Sequence, residues 1–398
     1  MEIDECLEKL IKNGSSIKDD DLNKIKKDVA LYIKTRDISK IINMLLCEFE
    51  ESTYKYLKSN TINGISSSIY LNNNCNDYYL NISSGKSIQN NYINAYTEFD
   101  IASVTKLFTL FLIFKYEELG IINLKDKICD INEDFKYLDY TVLDIIKMSG
   151  SIITDRRIDE TLNYKEAFDA LCSVHPVNYN MSVNHYTDIG FIILGKIVES
   201  IIGMSFERAL TLFLDGYGIN INNLDNIAGN GHLDKLPHDP KTRKLGGFVG
   251  SSGIFINSLN MAKFSNCIFN GSIISKKNLD KIPKKRFELY HDNRSYAGIN
   301  IKHPLGIKKS ATPNEYSNAA FSHQGFTGSS AIFDPINKIH NSILVDAINL
   351  NQKSKHPDFF KYYNLYHQEI VMITLKLYLV KEYYDKYEKE KIKILKII

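Results

Sequence analysis

Val104, Leu107, Phe108, Phe111 and Leu112 recur at the three-and-four spacing that lays apolar side chains along one helix face. The run stays apolar to Phe114, and Gly120 after Leu119 supplies a stop. A second stripe, Leu22, Ile25, Val29 and Ile33, follows Asp19-Asp20-Asp21, which suits a helix start. Residues 189–202 carry a third, with Phe191, Leu194 and Val198 on one face and Gly203 at the end. Residues 140–150 predict a short helix capped by Ser149-Gly150. Residues 1–60 read as charged helix that forms a packing layer on the main domain. A partner-docking extension is the alternative.

Elsewhere the pattern is that of strands. Residues 62–72 and 78–84 predict two strands joined by a turn at Asn73-Asn74-Cys75-Asn76-Asp77. Residues 319–330 form a strand of small residues, and 331–334 with 341–347 a hairpin. A glycine-rich stretch, 245–253, predicts a tight turn beside a site before Ile254-Phe255-Ile256. Residues 151–185 are irregular, with Asp155-Arg156-Arg157 on the surface or at a substrate entrance. Residues 204–245 mix helix and loop. Residues 358–398 predict an aromatic-rich helix ending in a solvated charged tail.

Composition narrows the class. The 398 residues are 44% hydrophobic and 24% charged, as in ordinary soluble globular proteins. This length holds two lobes. A net charge of +2 gives no strong field for nucleic acid or an anionic membrane. The six cysteines are scattered and form no C-x-x-C pair, which implies reduced thiols in a reducing compartment. No H-E-x-x-H occurs, so no metal site is expected. Glu2, Asp4 and Glu5 at the N-terminus do not fit a secretory signal. The apolar runs 107–114 and 370–380 are too short to span a bilayer, and Lys376 interrupts the second. These features predict a cytoplasmic protein without a membrane span.

Ser-x-x-Lys occurs four times, at Ser15/Lys18, Ser52/Lys55, Ser83/Lys86 and Ser103/Lys106. Only Ser103 opens a strongly apolar helix. There the hydroxyl and amine lie one turn apart, at the positive end of the helix dipole. They form a nucleophile and a proton acceptor. Ser83-Ser84-Gly85-Lys86-Ser87 resembles the end of a phosphate-binding loop, but Leu80 stands where the first glycine is needed. Tyr186 is a second candidate, with a buried core aromatic as the alternative. Asp188 fits either a site or the N-cap of the following helix. His323 on a strand would be structural, except that Gly325 lets backbone approach a ligand there.

In this order, Ser103-x-x-Lys106, Tyr186-x-Asp188 and His323-x-Gly325 resemble the three motifs of the serine β-lactamase and penicillin-binding-protein superfamily. The match is nearest its class C β-lactamase-related branch, which includes esterases, D-amino-acid peptidases and acyltransferases. Met148-Ser149-Gly150, His238-Asp239, Gly246-Gly247, Gly250-Ser251-Ser252-Gly253 and Gly325-Phe326-Thr327-Gly328 resemble further stretches of that family. Two departures from its β-lactamases are Asp188 in place of asparagine and His323-Gln324-Gly325 in place of lysine-threonine-glycine.

The resemblance implies an α+β fold of the β-lactamase/transpeptidase type. A sheet lobe would span about 61–130 and 246–380, with an all-helical lobe at about 131–245 inserted between. Residues 1–60 would be an extension and 381–398 a tail. It implies a serine hydrolase that needs no cofactor and cleaves a small ester or amide. Ser103 would be the nucleophile, and Lys106, with its pKa lowered by burial, would share its proton. Tyr186 would be the general base, and His323 would add positive or hydrogen-bonding character. Gly325 and Phe326 would contact substrate, Asp188 would contact substrate, orient Lys106 or only cap its helix, and the Ser103 and Phe326 N–H groups would hold the oxyanion. A penicillin-binding D-aminoacyl peptidase, a β-lactamase, an acyltransferase or a non-catalytic acyl-ligand binder are the alternatives. The oligomeric state is left open.

Overall fold

The computed structural model describes residues 2–72, 77–178, 184–229, 234–284, 294–302, 312–348 and 354–388. Most of the turn expected at 73–77 and the tail from 389 onward lie outside the described residues. The helices are α1 (Glu2–Lys12), α2 (Asp19–Lys34), α3 (Ile38–Leu57), α4 (Thr105–Glu118), α5 (Ile128–Ile131), α6 (Val142–Lys147) and α7 (Tyr164–Cys172). They continue with α8 (Asp188–Ile202), α9 (Phe206–Asp215), α10 (Pro240–Lys244), α11 (Ser258–Phe269), α12 (Lys276–Leu279) and α13 (Phe359–Tyr383).

Strands from both ends of the chain make one antiparallel sheet. Its members are β1 (Gly64–Leu71), β2 (Tyr78–Gly85), β7 (Asn300–Ile301), β8 (Phe321–Gln324), β9 (Ser330–Asp334) and β10 (Ile339–Asp346). Their spatial order is β2-β1-β10-β9-β8-β7. Two small ladders, β3 (Phe99–Asp100) with β6 (Phe255–Ile256) and β4 (Ser151–Ile153) with β5 (His175–Asn178), stand apart from it. This is the β-lactamase/transpeptidase-like α+β fold.

Period-two alternation sends neighbouring strand residues to opposite faces, and both faces are covered. Ile65, Ile69, Ile332, Ile343 and Val345 pack with Phe49 of α3 and the apolar stripe of α13. Phe333 and Leu344 join the second core, with Phe108 and Phe111 of α4, Phe191 of α8 and Phe264 of α11. Lys376 sits inside α13 with its side chain 5% exposed, paired to Asp28 at 2.6 Å and Glu48 at 2.7 Å. A cation that buried needs partners, and these tie α13 to α2 and α3.

One helix end differs from the sequence expectation. α6 stops at Met148, which takes the left-handed conformation (φ 53°), rather than at Ser149-Gly150. Gly150 is needed for another reason: a Cβ there would overlap the Tyr140 ring. α6 also starts with a capping box between Thr141 and Asp144. The pair Arg156-Arg157 is a surface feature, bound to Glu166, Asp159 and Glu160. Among the described residues, no single helix is long and apolar enough to cross a membrane.

Glu98, next to β3, is 1% exposed and accepts a 2.6 Å hydrogen bond from the Asn223 N–H. Burial raises its pKa to about 8. The neutral form therefore lends stability that is complete below the unfolded value near 4.5 and is lost as pH rises toward 8. Melting temperature should fall between pH 5 and 8 in the wild type, and less in Glu98→Gln. An equal fall in both would remove Glu98 as its source.

Candidate active site

The candidate nucleophile stands at a strained bend. A single 3₁₀ turn, Ala102–Val104, carries Ser103 from β3 into α4. Ala102 has φ 44°, a left-handed value that costs a residue with a Cβ on the order of 1–2 kcal/mol. Asp100 holds the bend. Its Oδ1 accepts the Ala102 N–H at 2.8 Å, and its Oδ2 accepts the His238 N–H at 2.7 Å. The Thr327 hydroxyl donates to the Asp100 carbonyl at 2.6 Å, so the 325–327 loop is pinned to the same spot. Gly325 packs against the Ile101 carbonyl so closely that a Cβ would overlap it. The sequence reading missed Asp100, although its place three residues before Ser103 was a signal.

Lys106 is completely buried. Its ammonium donates to Ser103 Oγ at 2.9 Å, Asp188 Oδ1 at 2.8 Å and the Ser251 carbonyl at 3.1 Å. Three N–H groups thus meet three acceptors. The Tyr186 side chain also interacts with it, with the ring centroid 5.2 Å from Nζ. Burial pushes the Lys106 pKa down, but the charges of Asp188 and Tyr186 outweigh it, and the net direction is up. This corrects the expectation of a lowered pKa: burial acts as expected, but a paired ammonium follows its partners.

Asp188 can serve Lys106 because another residue caps its helix. Thr187 is the N-cap of α8, with its hydroxyl accepting the Ile189 N–H, and Asp188 is the first helical residue. Burial raises the carboxyl pKa, yet Lys106 and Lys241 bring it down to about 2. Lys241 Nζ lies 3.1 Å from Asp188 Oδ2 and 3.6 Å from Asp239 Oδ2. Asp239 also caps α10. Lys241 was not foreseen, although it lies two residues after the His238-Asp239 pair.

His323 does not supply positive charge. It is 3% exposed, and its Nε2 and Nδ1 face the carbonyls of Ala297 at 3.1 Å and Gln324 at 3.0 Å. Burial, and then the charge of Lys106, lower its pKa to about 4. A neutral imidazole donates from one nitrogen only. Its contact braces a strained turn, in which Ala297 has φ 56° and Gly298 φ 72°. The Gly298 backbone presses on the Tyr186 ring, where a Cβ would overlap it. The positive charge near Tyr186 comes from Lys106 and from Arg294, whose Cζ is 5.1 Å from the ring centroid.

Tyr186 and Phe326 face solvent, at 39% and 55% exposure, so the cleft is open. Among the described residues, the Ser103 and Phe326 N–H groups donate to no protein acceptor. The Phe326 carbonyl accepts from Lys355, and its ring stacks on His238 at 5.4 Å. Burial lowers the Lys355 pKa to about 8. No group of three or more His, Cys, Asp or Glu among the described residues could hold a metal.

Fold and site together define the class: a serine β-lactamase or penicillin-binding-protein type of molecule, with a helix-borne serine and lysine at the end of an antiparallel sheet. The chain belongs to the β-lactamase family, whose sequence pattern matches residues 78–359. Solved structures that share the fold include the following three. EstCE1, described as a hydrolase with promiscuous acyltransferase activity, is 14% identical over 83% of this chain and 100% of its own, with a TM-score of 0.66. A class C β-lactamase is 16% identical over 82% and 96%, with a TM-score of 0.63. The octameric penicillin-binding protein homologue from Pyrococcus abyssi is 20% identical over 80% and 76%, with a TM-score of 0.58. Sequence comparison with curated proteins finds no match.

The His323 signals in a proton NMR titration should stay constant from pH 5 to 8, because the ring gains its proton only near pH 4. A midpoint close to 6.5 would contradict a neutral brace.

Proposed function

We propose that this chain is a serine hydrolase that cleaves an ester or amide through an acyl-enzyme on Ser103. The observation that carries the reading is the 2.9 Å bond between the buried Lys106 ammonium and Ser103 Oγ, at the edge of an open cleft. Ser103 Oγ bonds to the substrate carbonyl carbon, and its proton passes to the Tyr186–Lys106 pair. The pair accepts it only after losing one proton of its own, so the reactive form is a property of both groups. Tyr186 then delivers the proton to the leaving group as the carbonyl–heteroatom bond breaks. Water follows the same route in reverse and releases the acid. A relay of this kind contributes roughly 10²- to 10⁴-fold in rate.

The N–H groups of Ser103 and Phe326 form the oxyanion hole in this scheme. Their lack of protein acceptors supports the assignment, because a preformed hole must leave its donors unused. His323 has no part in the relay. The five described cysteines are free thiols, which supports a reducing, cytoplasmic location. Acyl transfer to an acceptor other than water uses the same acyl-enzyme, and the open cleft leaves room for it.

A fluorophosphonate probe should label the wild type and not Ser103→Ala. The melting free energy of that variant should stay within about 1 kcal/mol of the wild type. Labelling retained in Ser103→Ala would show another nucleophile. Lys106→Ala and Tyr186→Phe should each slow p-nitrophenyl ester turnover by about 10²-fold or more. Effects below about threefold would remove them from the relay.

A further inference from the structure

Asp188 brings a full negative charge to the place where β-lactamases of the related class carry a neutral asparagine. A carboxylate 2.8 Å from a buried ammonium stabilises the charged form strongly. Left alone, it would hold on Lys106 the proton that the Tyr186–Lys106 pair has to lose. The structure offers a counterweight. Lys241 binds Oδ2 of the same carboxylate at 3.1 Å, whereas Lys106 binds Oδ1. Its side chain is 25% exposed, so it stays hydrated and charged where Lys106 is sealed off. Its own pKa is pushed down by burial but raised on balance by Asp188 and Asp239.

We propose that Lys241 is a positioning residue that shares Asp188 with Lys106 and offsets its charge, so that Lys106 can give up a proton to the relay. This rests on the Ser103 reading above. Lysine, carboxylate and lysine together carry the single positive charge that a lysine beside an asparagine would carry. The other charged or titratable groups facing the cluster are Asp159 and Asp239 on the Lys241 side. Tyr186, His323 and Arg294 face it on the Lys106 side. His323 is neutral above about pH 4, and Asp239 is engaged in capping α10. Lys241 is therefore the cation in direct contact with the free side of Asp188.

The sign of the effect follows. Removing Lys241 takes positive charge from the cluster, so the pair loses its proton less readily and the reactive form appears at higher pH. Removing the charge of Asp188 acts in the opposite direction. Removing both should nearly cancel. Contacting charges couple by an amount that corresponds to roughly 2- to 150-fold in rate.

The test is the fluorophosphonate labelling rate of Ser103 from pH 6 to 10, which needs no knowledge of the substrate. At pH 7.5 Lys241→Met should label on the order of tenfold more slowly than wild type, with its pH profile displaced upward. Lys241→Arg should stay close to wild type. Asp188→Asn should displace the profile downward. The double variant Asp188→Asn/Lys241→Met should label faster than Lys241→Met at pH 7.5, with its pH profile returned close to that of wild type. A Lys241→Met profile that coincides with wild type, or a double variant as slow as Lys241→Met, would overturn the proposal and leave the Ser103 assignment standing. Wild-type protein that does not label at Ser103 would overturn the hydrolase reading beneath it. Circular-dichroism melts identify any variant that fails to fold, in which case Lys241→Gln replaces Lys241→Met.

Discussion

A fully buried ammonium has to be surrounded by acceptors, because an unpaired charge in a protein interior costs several kcal/mol. Lys106 meets that demand with groups from three separate parts of the chain. Ser103 comes from the turn before its own helix, Asp188 from the first residue of α8, and the Ser251 carbonyl from the glycine-rich segment. Each supporting feature places one of these acceptors. Thr187 takes over the capping of α8 and leaves the Asp188 carboxylate to the lysine. Gly250 lies so close to the Phe191 carbonyl that a Cβ would not fit, which brings Ser251 within reach.

Two of the chain's strained bends lie at the same place. Ala102 and Ala297 both adopt left-handed backbone, and each is held by a buried side chain, Asp100 in one case and His323 in the other. Non-glycine residues persist in that region only when their surroundings fix them. The first bend presents Ser103, and the second, through Gly298, sets the Tyr186 ring. His323 occupies the position of a charged residue in the related lysine-threonine-glycine motif but works here as a neutral strut. Positive charge is instead distributed over Lys106, Arg294 and Lys241, which arrive from other segments.

Much of the fold was legible because its signals are local. The stripe through Val104, Leu107 and Phe111 and the alternation over 341–347 each describe one element and its buried face. The α+β class followed from the family resemblance that the order of three short motifs carries. What escaped depends on contacts between distant segments. The cap of α6 is Met148, and Gly150 serves the Tyr140 ring that packs against it. The direction of the Lys106 pKa depends on a carboxylate 82 positions away. Lys241 and Arg294 look like ordinary surface cations in the sequence, and only folding brings them to the cleft.

The central claim is that Ser103 becomes covalently acylated. It is tested most directly by mixing the protein with excess p-nitrophenyl acetate, quenching in acid and mapping the acetyl group by peptide mass spectrometry. The account predicts a rapid release of p-nitrophenolate and an acetylated peptide in which Ser103 bears the group. Acetylation confined to other residues, or turnover of the ester with no acyl group on the peptide containing Ser103, would contradict it.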